Sequence, residues 1–63
     1  MDESISAVFG RVVRRLRKEA GLTQEALGLA AQLQRKYISS VELGEKQPSL
    51  LSIFKLATAL NTR

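Results

Sequence analysis

Two adjacent cations, Arg35 and Lys36, stand in the middle of the stretch LTQEALGLAAQLQRKYISSVELG, which covers residues 22–44. The stretch has the pattern of two short helices, and the cations begin the second of them. Positive charge is unfavourable there, because the helix dipole already places partial positive charge at that end. The pair therefore indicates that this helix end is directed at something strongly negative.

Residues for catalysis or metal binding are scarce. The chain has no His and no Cys, so the usual general base, nucleophile and transition-metal ligands are missing. The six Asp and Glu residues show no metal-loop spacing. We therefore predict that the protein is not an enzyme and that it needs no metal and no cofactor.

The composition is that of one folded domain, over residues 1–63, with excess positive charge. Hydrophobic residues make up 44%, and ten Lys and Arg against six Asp and Glu give a net charge of +4. Such a charge attracts polyanions, although a merely soluble basic domain would share it. The sequence has no apolar run of membrane-spanning length and no leader peptide. We predict a soluble, cytoplasmic protein without membrane contact.

Apolar residues at helical spacing predict an all-α fold with helices at about 5–20, 24–31, 35–43 and 50–60. The first helix has a basic arc, which we interpret as a solvated face. Its other arc is apolar and is predicted to face the core, and it comprises Ile5, Phe9, Val12, Val13, Leu16 and Ala20. The predicted core of the middle helices comprises Leu27, Leu33, Ile38 and Val41. The fourth helix has few polar positions, so it is either the most buried element or meets something outside the chain.

Only the three residues 32–34 join the second and third helices. So short a connection forces the two helices to cross steeply, as in a helix-turn-helix. In that motif the first helix can span the DNA backbone while the second enters the major groove, where guanine N7 and O6 match the arginine fork. Arg35 and Lys36 would then be favourable in a complex with double-stranded DNA.

The segments LRKEAGLTQEAL (16–27), KYISSVELGEKQPSL (36–50) and KLATAL (55–60) together resemble the Cro and lambda-repressor-like helix-turn-helix regulators, also called the xenobiotic-response-element family. The resemblance implies a compact lambda-repressor-like DNA-binding domain of four helices, or a five-helix form that is truncated here. It also implies a bacterial or phage-type, nucleoid-associated protein that binds operator DNA as a homodimer. The family often adds an effector or dimerisation domain. In this protein such a domain would follow Arg63.

Site residues follow from the same resemblance. Base edges would be read by the recognition helix through Gln34, Arg35, Lys36, Ser39 and Ser40. Phosphates would be contacted by Thr23, Gln24, Tyr37 and Lys46. Several alternatives stay open. Lys36 touches only phosphate, Tyr37 packs against a neighbouring helix, and Gln24 is a spare surface amide. Ser39 and Ser40 specify a base only weakly, because Ser contacts either base type.

The resemblance also places Arg17 and Glu42 in contact, which implies a partly buried ion pair that fixes the recognition helix on the bundle. Three positions depart from the family pattern. Gln32 stands where the turn usually has Gly, Gln34 where the cap is usually Ser or Thr, and Gly28 where the second helix usually has Ala.

We predict a sequence-specific, double-stranded-DNA-binding transcriptional regulator, most often a repressor in this family. Leu56, Leu60 and their neighbours are the candidate dimer contacts. The alternative is a protein-interaction module, such as an antitoxin or adaptor, which keeps the fold while its surface binds a partner protein.

Overall fold

Four helices and their connections form the part of the chain that the structure, a computed structural model, describes, which is residues 4–61. They are α1 (Ile5–Glu19), α2 (Gln24–Ala31), α3 (Arg35–Glu42) and α4 (Leu50–Asn61), and residues 4–61 contain no strand. The all-α fold is confirmed, and each helix end lies within one residue of the predicted position. A fifth helix or a domain beyond Arg63 would lie outside the described residues.

Side-chain hydrogen bonds cap the N-termini of the first two helices but not that of the third. Ser4 Oγ accepts from the Ala7 N–H at 3.1 Å, and Thr23 Oγ1 accepts from the Ala26 N–H at 3.0 Å. Each cap satisfies an N–H group that has no partner within its helix. Gln34 begins α3 without a side-chain hydrogen bond. The position of α3 therefore depends on packing rather than on capping.

The hydrophobic core draws on all four helices. Its buried members are Val13, Leu27, Ala31, Ile38, Val41, Leu56 and Ala59. Three of the four residues predicted as core of the middle helices are fully buried, and the fourth, Leu33, packs at the edge. Burial of a Leu, Ile or Val side chain contributes about 1.5–3 kcal/mol, and partly buried hydrophobic residues such as Phe9 and Leu60 pack against this core.

The first helix buries less of its apolar arc than the sequence predicts. Val13 is buried and Phe9 packs against the core. However, Ile5 is 78% exposed, and Val12 and Leu16 also remain exposed. The reason is that α1 packs mainly on α3 and only slightly on α4, which leaves one side of its apolar arc without a neighbour.

The fourth helix is not the most buried element. Its inward face consists of Ser52, Leu56 and Ala59, at the i, i+4, i+7 spacing of one helix face. The opposite face leaves Leu50 85% and Phe54 68% exposed. The expectation that α4 is the most buried element is therefore wrong, and the expected contact outside this chain stays a prediction.

The turn between α2 and α3 is tight and has a left-handed residue. Gln32 has φ 60° and ψ 41°, a conformation that costs a residue with a Cβ roughly 1–2 kcal/mol. The Leu33 N–H donates to the Gly28 carbonyl at 2.8 Å. A Cβ at Gly28 would lie 2.6 Å from the Leu33 carbonyl oxygen. The turn thus lies so close to Gly28 that a side chain at this position would require the turn backbone to shift.

We predict that Gln32→Gly stabilises the protein, because glycine adopts positive φ without steric cost. The gain is about 0.5–1 kcal/mol after the greater freedom of glycine in the unfolded chain is subtracted. Urea unfolding measures it. Gln32→Ala is the matched control, since it removes the same side chain but keeps a Cβ. An equal gain from alanine would contradict the backbone explanation.

Candidate nucleic-acid interface

The third helix presents one face to solvent and buries the other. Gln34, Arg35 and Lys36 are exposed at its start. Ile38 and Val41, in the following turns, are fully buried. The two cations found in the sequence therefore lie together at the outer end of a helix whose other side is anchored in the core.

The second turn of α3 carries the two serines. Ser40 and Ser39 are both half-buried. Ser39 lines a cleft between α1, α2 and α3, together with Arg14, Gln24 and Leu43. The serines therefore lie deeper than the cations, and Ser39 lies next to residues from two other helices.

A buried ion pair joins α3 to α1. Arg17 Nε donates to Glu42 Oε2 at 2.6 Å and Arg17 Nη2 donates to Glu42 Oε1 at 3.1 Å. Both residues are only 8% exposed. Arg17 Nη1 also donates to the Leu22 carbonyl at 2.8 Å. This two-pronged geometry is the strongest form of an arginine–carboxylate contact, and it holds the end of α3 against α1 and the α1–α2 connection.

The hydrogen bond that Arg17 donates to Glu42 raises the pKa of Arg17 above its ordinary value, and burial opposes that shift in part. A raised pKa in the folded state stabilises the protein at every pH below the ordinary arginine value. The stabilisation is lost only when the pH rises through the folded pKa. Arg17 is therefore a fixed positive charge throughout the neutral range.

Gln24, the first residue of α2, also bonds to Glu42. Its Nε2 donates to Glu42 Oε1 at 3.1 Å, so one carboxylate joins three helices. This bond was not predicted, because no helical spacing relates two residues that lie 18 positions apart. The second hydrogen of the Gln24 amide remains available for the predicted phosphate contact.

Tyr37 uses its hydroxyl inside the protein. The hydroxyl donates to Ser52 Oγ on α4 at 3.0 Å, and Ser52 Oγ also lies 3.2 Å from Ser49 Oγ. A phosphate oxygen can only accept hydrogen bonds, so a phosphate contact would have to compete with Ser52 for the single hydroxyl proton of Tyr37. The geometry thus favours the packing alternative for Tyr37 over the predicted phosphate contact.

The remaining predicted phosphate contacts lie on the surface. Thr23 is exposed, and its hydroxyl accepts from α2 while keeping its own hydrogen. Lys46 is exposed in the connection between α3 and α4. Among residues 4–61, no group of His, Cys, Asp or Glu side chains could hold a metal ion. Within that same range, no helix has the length and apolar character needed to cross a membrane.

Comparison with known proteins decides the family, since residues 13–63 match the family model described as helix-turn-helix. The chain belongs to the helix-turn-helix family. It is 41% identical over 53 residues to an uncharacterised HTH-type transcriptional regulator of Sinorhizobium fredii, covering 84% of this chain and 69% of that protein. It is 36% identical over 64 residues to the control protein C.BamHI of Bacillus amyloliquefaciens, covering 100% of this chain and 79% of that protein.

Two solved structures of helix-turn-helix proteins resemble the fold. The restriction-modification controller protein C.AhdI from Aeromonas hydrophila matches with a TM-score of 0.87 and 43% identity, over 92% of this chain and 88% of that one. The clp gene regulator ClgR from C. glutamicum matches with a TM-score of 0.90 and 25% identity, over 95% and 77%. The lambda-repressor-like fold and the prediction of a DNA-binding transcriptional regulator are confirmed.

We predict that Glu42→Gln costs about 3–5 kcal/mol of unfolding free energy, because it leaves the buried Arg17 charge uncompensated. Urea unfolding at neutral pH measures the loss. The double variant Arg17→Met with Glu42→Leu removes both charges and should recover at least half of it. A cost below about 1 kcal/mol for Glu42→Gln would mean that water screens the pair.

Proposed function

We propose that the protein is an operator-binding repressor of the controller type, with α3 in the major groove. The exposed Arg35 and Lys36, on a helix fixed from behind by Glu42, carry this proposal. Recognition requires side chains held in one geometry, which a buried anchor supplies. Similarity to C.BamHI and C.AhdI supports the controller type. Selection of bound sequences from random duplexes tests it, and failure to enrich any sequence would contradict it.

The two ends of the recognition surface have different tasks in this proposal. Gln34, Arg35, Lys36 and Ser40 read base edges, and Arg35 spans two guanine acceptors. Thr23, Gln24 and Lys46 contact the backbone, because they lie where α2 begins and where the chain leaves α3. Backbone contacts fix register and orientation, while base contacts specify the sequence. A net charge of +4 adds long-range attraction in a cytoplasmic setting rich in DNA.

A homodimer is part of the proposal, because α3 has eight residues and is therefore only about 12 Å long. Such a helix reads few base pairs, so useful specificity needs two copies about 34 Å apart on a near-palindromic site. Leu56 is only 1% exposed and faces the core, so the expectation that it is a dimer contact is wrong. Candidate contacts are the exposed Leu50, Leu51 and Phe54, with the half-buried Leu60.

We predict two chains per operator at saturation, measured by sedimentation of the protein with the selected duplex. Phe54→Ser should reduce that stoichiometry or weaken the dimer, because it removes an exposed apolar side chain. The fold should persist, since Phe54 is 68% exposed and contributes little to the core. A saturated complex of one wild-type chain per operator would rule out the dimer.

We predict that Arg35→Ala weakens binding to the selected site by about 1–3 kcal/mol per half-site and affects scrambled DNA less, because a base contact is lost. Lys46→Ala should weaken binding to all sequences alike and lower the salt slope by about one unit, because a phosphate contact is lost.

Measuring both variants on selected and scrambled duplexes across a salt series compares the two kinds of contact. Both cations are exposed, so neither substitution should disturb the fold. Equal losses on both DNAs for Arg35→Ala would make Arg35 a phosphate contact and contradict its assignment to base reading.

A further inference from the structure

A cleft of about 220 Å³ lies between α1, α2 and α3, beside the predicted reading surface. Its lining residues are Arg14, Arg17, Gln24, Ser39, Glu42 and Leu43. A water molecule occupies about 30 Å³ in the liquid, so the cleft has room for a phosphate group. The first helix, whose basic arc was expected to be a solvated face, contributes one wall.

The charge of the cleft comes from Arg14. Arg17 and Glu42 neutralise each other through two hydrogen bonds. Within residues 4–61, Arg14 has no ion pair or side-chain hydrogen bond, and the hydroxyl of Ser39 has none either. By contrast, Arg15, the next residue on α1, lies 3.4 Å from Glu19. The cleft therefore has one net positive charge and unused donors.

Gln24 supplies a further donor in a fixed position. One hydrogen of its amide is donated to Glu42 Oε1, and the other remains for an acceptor in the cleft. The bond to Glu42 orients the amide before any partner arrives. Less side-chain freedom is then lost when a partner binds.

The position of the cleft relative to bound DNA indicates which ligand it would hold. With α3 in the major groove, the groove walls on either side are the two phosphate backbones. A cleft bounded by α3 and by the start of α2 opens toward one of these walls. We propose that Arg14, Gln24 and Ser39 together bind one backbone phosphate of the operator. This inference rests on the proposed function, adds α1 to the interface, and assigns Ser39 to phosphate rather than to base reading.

Arg14→Gln tests the site, and Arg15→Gln is its matched control, because both remove one charge from exposed positions of the same helix. Arg14→Gln should lower affinity about tenfold on selected and scrambled duplexes alike, and should reduce the salt slope by about 0.9. Arg15→Gln should change affinity less than about twofold, as for a screened surface charge. Ser39→Ala should also weaken binding to all sequences alike. Thermal unfolding checks that each variant is folded.

Duplexes with a single neutral methylphosphonate locate the phosphate. Neutralising the phosphate held in the cleft should weaken wild-type binding more than it weakens Arg14→Gln, in which only Gln24 and Ser39 still contact that phosphate. If Arg14→Gln and Arg15→Gln behave alike, or if no single phosphate shows this pattern, the inference is wrong and the proposed function stands. If the wild type binds no duplex, the proposed function itself fails.

Discussion

The Glu42 carboxylate is the contact on which the recognition surface depends. Burial of a carboxylate costs several kcal/mol, and only close pairing with further hydrogen bonds offsets that cost. Arg17 and Gln24 provide both, so Glu42 joins α3 to α1 and α2. An isolated eight-residue helix is unstable in water, and Gln34 gives α3 no side-chain cap. The exposed Arg35, about two turns away, is therefore positioned by this buried end together with the packing of Ile38 and Val41 in the core.

A close backbone approach makes the Glu42 contact possible. A Cβ at Gly10 would collide with the Val41 carbonyl oxygen and lie 2.8 Å from that of Glu42. Glycine inside a helix costs about 1 kcal/mol relative to alanine. Here the missing side chain lets α1 touch the end of α3, which brings Arg17, two turns further along α1, within reach of Glu42. Gly10 is thus part of the ion-pair geometry, although it bears no charge.

The sequence predicts local features well and long-range ones poorly. Periodicity located all four helices and the buried Leu27, Ile38 and Val41, because helical spacing is a local signal. It did not predict that Ile5 would be exposed, since an apolar arc shows which face can pack but not how much of it a neighbour covers. The Tyr37–Ser52 bond joins residues 15 positions apart, and no residue pattern marks it. The Arg17–Glu42 contact came from family resemblance, not from spacing.

The Tyr37–Ser52 bond also connects the two surfaces that operator binding would use. Tyr37 lies on α3 between the exposed cations and the buried anchor, and Ser52 lies on α4 between the exposed Leu51 and Ile53. In a dimer formed through the exposed face of α4, the separation of the two recognition helices depends on how α3 is held against α4. A tilt of α3 would move Arg35 in both halves and change the spacing that a palindromic site requires. In such a dimer, the hydroxyl of Tyr37 would contribute to operator recognition through its bond to Ser52 and not through a phosphate contact.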